Sequence, residues 1–198
     1  MSHRVDPGFG GERALGDMCS LPSSLYTGVR YKPLLTGGMA LLAGGAMPLA
    51  FAPVGWAWLA VIALATFFVL TAQSSRRQAL WSAYLFGLGY FGVGVSWVFI
   101  SISQYGNGPV VAVLVTAAFV SLLALFPWGV AYLVRCLRPE MDAMALWLGL
   151  PAAWVLSEWM RTWFLTGFPW LFIGYSQTDT TLATIAPVFG VLGVSLLE

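Results

Sequence analysis

The chain has 198 residues, of which 59% are hydrophobic and only 9% charged, with a mean hydropathy of +0.82; that composition belongs in a lipid bilayer. A formal net charge of +1, with the arginines scattered singly or in pairs, excludes a basic stripe for nucleic acid. The lone histidine, His3, and two cysteines, Cys19 and Cys136, exclude a Ser/His/Asp triad, a histidine-ligated zinc, a four-cysteine metal site and a disulfide framework, so neither metal nor cofactor is expected.

Residues 1–32 are polar and carry Pro7, Gly8, Gly10, Gly11 and Pro22. They are predicted to form a mobile cytoplasmic tail. No apolar run precedes Leu34, so the first span is expected to act as an uncleaved signal anchor. From there the pattern predicts an all-α integral membrane bundle over 33–198, with spans at 33–52, 54–72, 79–103, 109–134 and 143–165. A sixth span begins near Leu182 and is expected to be truncated at Glu198.

Charge sets the expected topology. Arg30 and Lys32 precede the first span, Arg76 and Arg77 follow the second, and Arg135 and Arg138 follow the fourth. The intervening junctions, 51–55, 104–108 and 166–181, hold no Lys or Arg. By the positive-inside rule the N-terminus is cytoplasmic and those three loops lie outside.

Within the spans, Gly87-Leu88-Gly89-Tyr90-Phe91-Gly92 spells G-x-G-x-x-G, but no strand precedes it and no acidic residue follows at the right distance. With Ala83 and Gly94 these glycines read better as a small-residue face for close helix approach, like Gly37, Ala40 and Gly44 in the first span. Pro127 and Pro151 each remove a backbone donor, and both helices are expected to bend there. Trp56, Trp58, Trp97, Trp159, Trp163 and Trp170 lean toward the outside, beyond what an ordinary aromatic belt requires.

The fifth span carries the most informative feature. Glu158 and Arg161 stand three apart on one helix face, inside an apolar, tryptophan-rich run. With the helix ending at Leu165, they would lie roughly 10 Å and 6 Å below its outer end, at about 1.5 Å rise per residue. A charged pair at that depth is either a structural tie to the outer loop or a contact for lipid or substrate. Thr166-Gly167 then predicts a left-handed helix stop, and Pro169 prevents the helix from resuming. The segment 166–181 reads as an outer, interfacial or re-entrant loop folded against the bundle. Candidate substrate or lipid contacts are Glu158, Arg161, Trp163, Phe168, Trp170, Tyr175 and Gln177.

The run Glu158-Trp159-Met160-Arg161-Thr162-Trp163-Phe164-Leu165-Thr166-Gly167-Phe168-Pro169-Trp170, followed by Gly174-Tyr175-Ser176-Gln177, resembles the membrane-domain signature of bacterial apolipoprotein N-acyltransferases. Phe51-Ala52-Pro53 ahead of Trp56, and Gly87 through Trp97 with Ser101, resemble that family's first outer loop and third helix. The resemblance runs from about Leu34 to Val194. It implies a multi-pass enzyme of the bacterial inner membrane, active on the periplasmic side in lipoprotein maturation. Such an enzyme takes an acyl group from a phospholipid donor, holds it as a thioester on a cysteine, and passes it to the amino group of a diacylated lipoprotein acceptor. In the family that chemistry belongs to a periplasmic nitrilase-like domain with a Glu, Lys, Cys triad. Neither cysteine here matches the nucleophile, and the only lysine, Lys32, falls on the cytoplasmic side. No catalytic residue is therefore assigned in this chain, which is expected to be inactive without that domain. Two rival readings are a small transporter or channel built from inverted halves, which would place its polar groups near the midplane, and a membrane scaffold with no ligand.

Overall fold

A computed structural model describes residues 32–105, 108–164 and 167–198. The tail expected at 1–32 lies outside them except for Lys32, as do Leu165 and Thr166. Among the described residues all regular structure is helical. The helices are α1 (Pro33–Ala46), α2 (Trp58–Gln73), α3 (Arg76–Gly94), α4 (Ser96–Gln104), α5 (Gly108–Leu123), α6 (Leu125–Leu137), α7 (Leu150–Arg161) and α8 (Ala186–Leu197). Short 3-10 turns at Met47–Ala50, Ile173–Gln177 and Thr181–Ile185, and a π turn at Ala145–Gly149, complete the set.

Among the described residues two apolar rods are long enough to cross a bilayer, Pro33–Ala50 with 18 residues and Gly108–Leu137 with 30. The pair α3 and α4 makes a third if its bend is counted within one span, while α2 and Thr181–Leu197 are apolar but shorter. Their outer faces are apolar too: Leu34 is 87% exposed, Val110 70% and Val188 77%. Such a surface suits lipid and is costly in water.

The expected small-residue face brings the helices together. An added Cβ on Gly44 would collide with the Phe86 carbonyl, and one on Gly89 would collide with the Leu41 carbonyl, so α1 and α3 touch backbone to backbone. A Cβ on Gly87 would stand 2.7 Å from the Ala124 Cα, which places α3 equally close to the α5–α6 rod. Beneath these crossings Phe67, Phe86 and Trp154 form an aromatic cluster, with ring centroids 5.0 Å apart for Phe67–Phe86 and 5.4 Å for Phe67–Trp154.

Three breaks have identifiable causes. The third span, expected as one helix over 79–103, bends by 49° at Val95. There the Leu171 side chain fills the space a side chain on Gly94 would need. The long rod is interrupted at Ala124, three residues before Pro127, whose missing N–H cannot bond the Leu123 carbonyl. The π turn sits immediately ahead of Pro151 and absorbs that proline's lost bond.

Arg76, Arg77, Arg135 and Arg138 gather at one end, while Arg161 lies at the other. Arg135 is buried and donates from Nη2 to the carbonyls of Thr71 (2.5 Å), Ala72 (3.3 Å) and Ser74, closing the C-terminus of α2. Arg76 Nη2 lies 3.4 Å from Cys136 Sγ, and its guanidinium stands 5.6 Å over the Tyr132 ring. Gln78 donates to the Thr36 hydroxyl at 2.8 Å, bringing the start of α1 to the same end. From Arg76, α3 runs to Gly94 at the opposite end, beside the loop that follows α7.

Candidate functional site: a loop held by buried charge

Helix α7 ends at Arg161, four residues earlier than the sequence suggests. The Arg161 carbonyl accepts from the Phe168 amide at 2.5 Å, and the Gly167 amide donates to the Phe164 carbonyl at 3.0 Å. Gly167 has φ +87°, and a Cβ there would strike the Thr162 carbonyl. Only glycine fits this left-handed position. With the helix stopped so early, Glu158 and Arg161 occupy its last turn.

Both are fully enclosed, Glu158 at 0% and Arg161 at 1% exposure. Glu158 Oε1 accepts from Trp154 Nε1 at 3.1 Å and from the Ile173 amide at 2.8 Å, and it lies 3.7 Å from Arg161 Nη2. Arg161 Nη1 donates to the Trp170 carbonyl at 3.1 Å. Its guanidinium is ringed by Phe172 at 5.0 Å, Phe91 at 5.3 Å and Phe126 at 6.0 Å. From α3, the buried Tyr90 hydroxyl donates to the Leu171 carbonyl.

Four backbone groups in six residues are therefore fixed from outside the loop: the Phe168 amide, the Trp170 and Leu171 carbonyls, and the Ile173 amide. Leu171 is held at φ +58°, a conformation that costs a non-glycine residue about 1–3 kcal/mol and persists only where its surroundings enforce it. Further along, the Gly174 amide donates to Ser195 Oγ at 2.9 Å, tying the loop to α8.

The seven residues singled out from sequence divide into three groups. Glu158 and Arg161 form the buried centre. Phe168 is half-buried, edge-on to Phe119 at 5.2 Å and tilted against Trp170 at 5.4 Å. Trp163 (54%), Trp170 (55%) and Tyr175 (46%) face outward, with Tyr175 stacked on Phe172 at 6.0 Å. Gln177 joins a separate buried cluster, donating to Ser176 Oγ at 3.2 Å and accepting from Thr180 Oγ1 at 3.0 Å. Ser176 in turn donates to Glu198 Oε1 at 3.2 Å.

Sequence reasoning missed Tyr90, Trp154 and Ser195. Trp154 was recoverable, since it stands one turn before Glu158 on the same face. Tyr90 carried a weaker signal, a phenol on an otherwise apolar, glycine-rich face. Beside this clamp, formed by Glu158, Arg161 and Tyr90 on the loop backbone, an apolar cavity of about 650 Å³ opens between α5–α6 and α7, walled by Phe119, Phe126, Phe164 and Phe168. Among the described residues no three His, Cys, Asp or Glu side chains converge as a metal site. The clamp itself offers no nucleophile. Chemically it can position a loop, bury a charge pair and present aromatic rings.

A family model described as "Apolipoprotein N-acyltransferase N-terminal domain" matches residues 43–197. Proteins named apolipoprotein N-acyltransferase are similar to this chain at 49% identity in Methylococcus capsulatus, 43% in Coxiella burnetii and 40% in Vibrio vulnificus. Each alignment covers 80% of this chain but only 31–33% of the relative. The chain thus spans about a third of the length of the relatives it matches. With a family model covering most of its length and relatives this similar, the chain belongs to the apolipoprotein N-acyltransferase N-terminal domain family.

Proposed function

We propose that this chain is the membrane portion of an enzyme that transfers a fatty acyl group from a phospholipid to the N-terminal amino group of diacylglyceryl-modified lipoproteins. In this reading five spans and the start of a sixth sit in the bacterial inner membrane, with the N-terminus in the cytoplasm and the loop around 166–181 at the periplasmic face. Gathering of Arg76, Arg77, Arg135 and Arg138 at the end opposite that loop, where Arg161 alone is buried in an ion pair, supports the orientation. Thioester chemistry belongs to a periplasmic catalytic domain outside this chain. The membrane portion delivers two lipidated substrates in turn to that domain, because acyl transfer in two steps needs donor and acceptor at one place.

The observation that carries this reading is the clamp. Buried charge fixes the loop backbone while Trp163, Trp170 and Tyr175 remain exposed on its outer surface. Rigid aromatic rings at an interface, next to half-buried Phe168, suit acyl chains and headgroups. Glu158 and Arg161 then serve as positioning residues rather than substrate contacts, since neither reaches the surface.

A photoactivatable phospholipid, reconstituted with the chain in nanodiscs, tests this. Crosslinks are expected on the 163–175 stretch, and Trp170→Ala is expected to reduce them. A crosslink map that avoided that stretch would remove the lipid-presenting role. The purified chain is expected not to acylate a diacylated lipopeptide, and measurable turnover by it would refute the division of labour.

A further inference from the structure

A second cavity, of about 350 Å³, is lined by residues of α6, the π turn and α7, among them Leu137, Arg138 and Met144. It shares Leu133, Ala153 and Leu156 with the 650 Å³ cavity beside the clamp. The two cavities adjoin along α6 and α7 and trace one elongated path there. From Met144 to Met160 its wall runs about 24 Å at about 1.5 Å per residue, longer than the ~15 Å half-thickness of a bilayer core. A compact ligand does not need such a shape. An extended chain does.

The walls are apolar, and the two polar side chains of the larger cavity place their hydrogen bonds elsewhere, with only Arg161 Nε left without a partner. Ser157 Oγ donates to the Trp154 carbonyl at 2.7 Å, and the Arg161 guanidinium is turned to Glu158 and Trp170. With few polar partners, the groove holds water poorly and hydrocarbon well. Its floor also has room to spare: a Cβ added at Gly129 would meet nothing within 4 Å.

Charge distinguishes the two ends. At the clamp end the guanidinium is enclosed and neutralised by its pair. At the other end Arg138 lines the groove and is 45% exposed, in a 3.1 Å pair with the equally exposed Asp142. Arg76, Arg77 and Arg135 belong to the same end, against Glu140 and Asp142 as the acidic groups, so the balance there is positive. An exposed ion pair contributes only about 0–1 kcal/mol, and Arg138 can therefore share its donors with an incoming phosphate.

We propose that the α6–α7 groove binds one glycerophospholipid, its phosphate at the arginine end beside Arg138 and one acyl chain laid along both helices toward Phe164. The headgroup position is distinct from the outer-surface role above, because it lies at the opposite end of the bundle from Trp163 and Trp170, and only the tail of the acyl chain reaches Phe164.

The test uses the chain in nanodiscs doped with phosphatidylglycerol carrying a diazirine at mid-chain, with the corresponding neutral diacylglycerol for comparison. Crosslinks are expected on peptides containing Leu133, Ala153 and Leu156. Gly129→Leu fills the groove and should lower their yield roughly tenfold, a change equivalent to about 1.4 kcal/mol. Gly92→Leu adds the same bulk where a new Cβ also meets nothing within 4 Å, and it should leave the yield unchanged. Arg138→Gln should weaken labelling by phosphatidylglycerol while sparing that by diacylglycerol. Undiminished labelling in Gly129→Leu would overturn the site. Equal labelling by the two probes, unaffected by Arg138→Gln, would overturn the headgroup assignment. Should Gly129→Leu fail to assemble, the unmodified chain still decides: crosslinks confined to outward residues of α5, such as Val110 and Leu114, would contradict the groove.

Discussion

Arg135 and Arg161 make an instructive pair: both are buried arginines in the last turn of a helix, and both donate to backbone carbonyls, yet they serve different ends of the molecule. Arg135 closes the terminus of the neighbouring helix α2. Arg161 shares its charge with Glu158, is ringed by aromatics, and holds a loop. The first fastens two elements that are already regular. The second imposes a shape on a segment with no regular structure of its own, leaving Trp170 facing outward. Residue type alone therefore does not mark a functional site in a membrane protein; what the buried charge is bonded to does.

The largest way to break this contrast is Glu158→Ala, which strands the Arg161 guanidinium in an enclosed site. Losing one partner of a buried pair costs about 3–5 kcal/mol. Thermal unfolding in detergent, followed by tryptophan fluorescence, should show a large drop in midpoint, and amide exchange at Ile173 should accelerate. Arg135→Met should cost less, about 1.5–3 kcal/mol, for charge-assisted bonds lost from the end of α2. Its signature is location: faster exchange near Gln73 and none at Ile173. Rapid exchange at Ile173 in that variant would erase the distinction between the ends.

Tyr90→Phe removes one hydroxyl and leaves the Leu171 carbonyl without its donor, an effect of about 1 kcal/mol. The helices should remain assembled, while limited proteolysis between Gly167 and Ile173 should become faster. Arg138→Gln, in an exposed pair, should shift stability by less than about 1 kcal/mol. A drop as large as that of Glu158→Ala would mean that the arginine end carries stress the structure does not reveal.

Much of this was legible in the sequence, for physical reasons that differ by region. Helical rods, the small-residue crossings and the left-handed turn at Gly167 follow from hydropathy, from the absence of a Cβ and from left-handed backbone needs, which are local properties. The early end of α7 at Arg161 was not legible. It depends on Phe168 and Trp170 folding back onto Arg161, contacts that close only in three dimensions. The bend at Val95 was hidden for the same reason, since its cause, Leu171, lies far along the chain. Glu158 and Arg161 were visible as anomalies of charge, but their role was open until the Ile173 amide and the Trp170 carbonyl were seen as partners. Tyr90 shows the limit most clearly, because one phenol among apolar neighbours gives no hint of a loop it bonds across the bundle.

The central claim is that the arginine end and the clamped loop face opposite sides of the membrane. It is tested by cysteine labelling in intact cells, with Cys19 and Cys136 replaced by Ser and a single cysteine placed at Asp179 or at Ser75, both exposed positions. A membrane-impermeant thiol reagent admitted to the periplasm should label Asp179→Cys at once, and Ser75→Cys only after the cells are opened. Labelling of Ser75→Cys from outside, or of both positions alike, would contradict the topology and the lipid-presenting role with it.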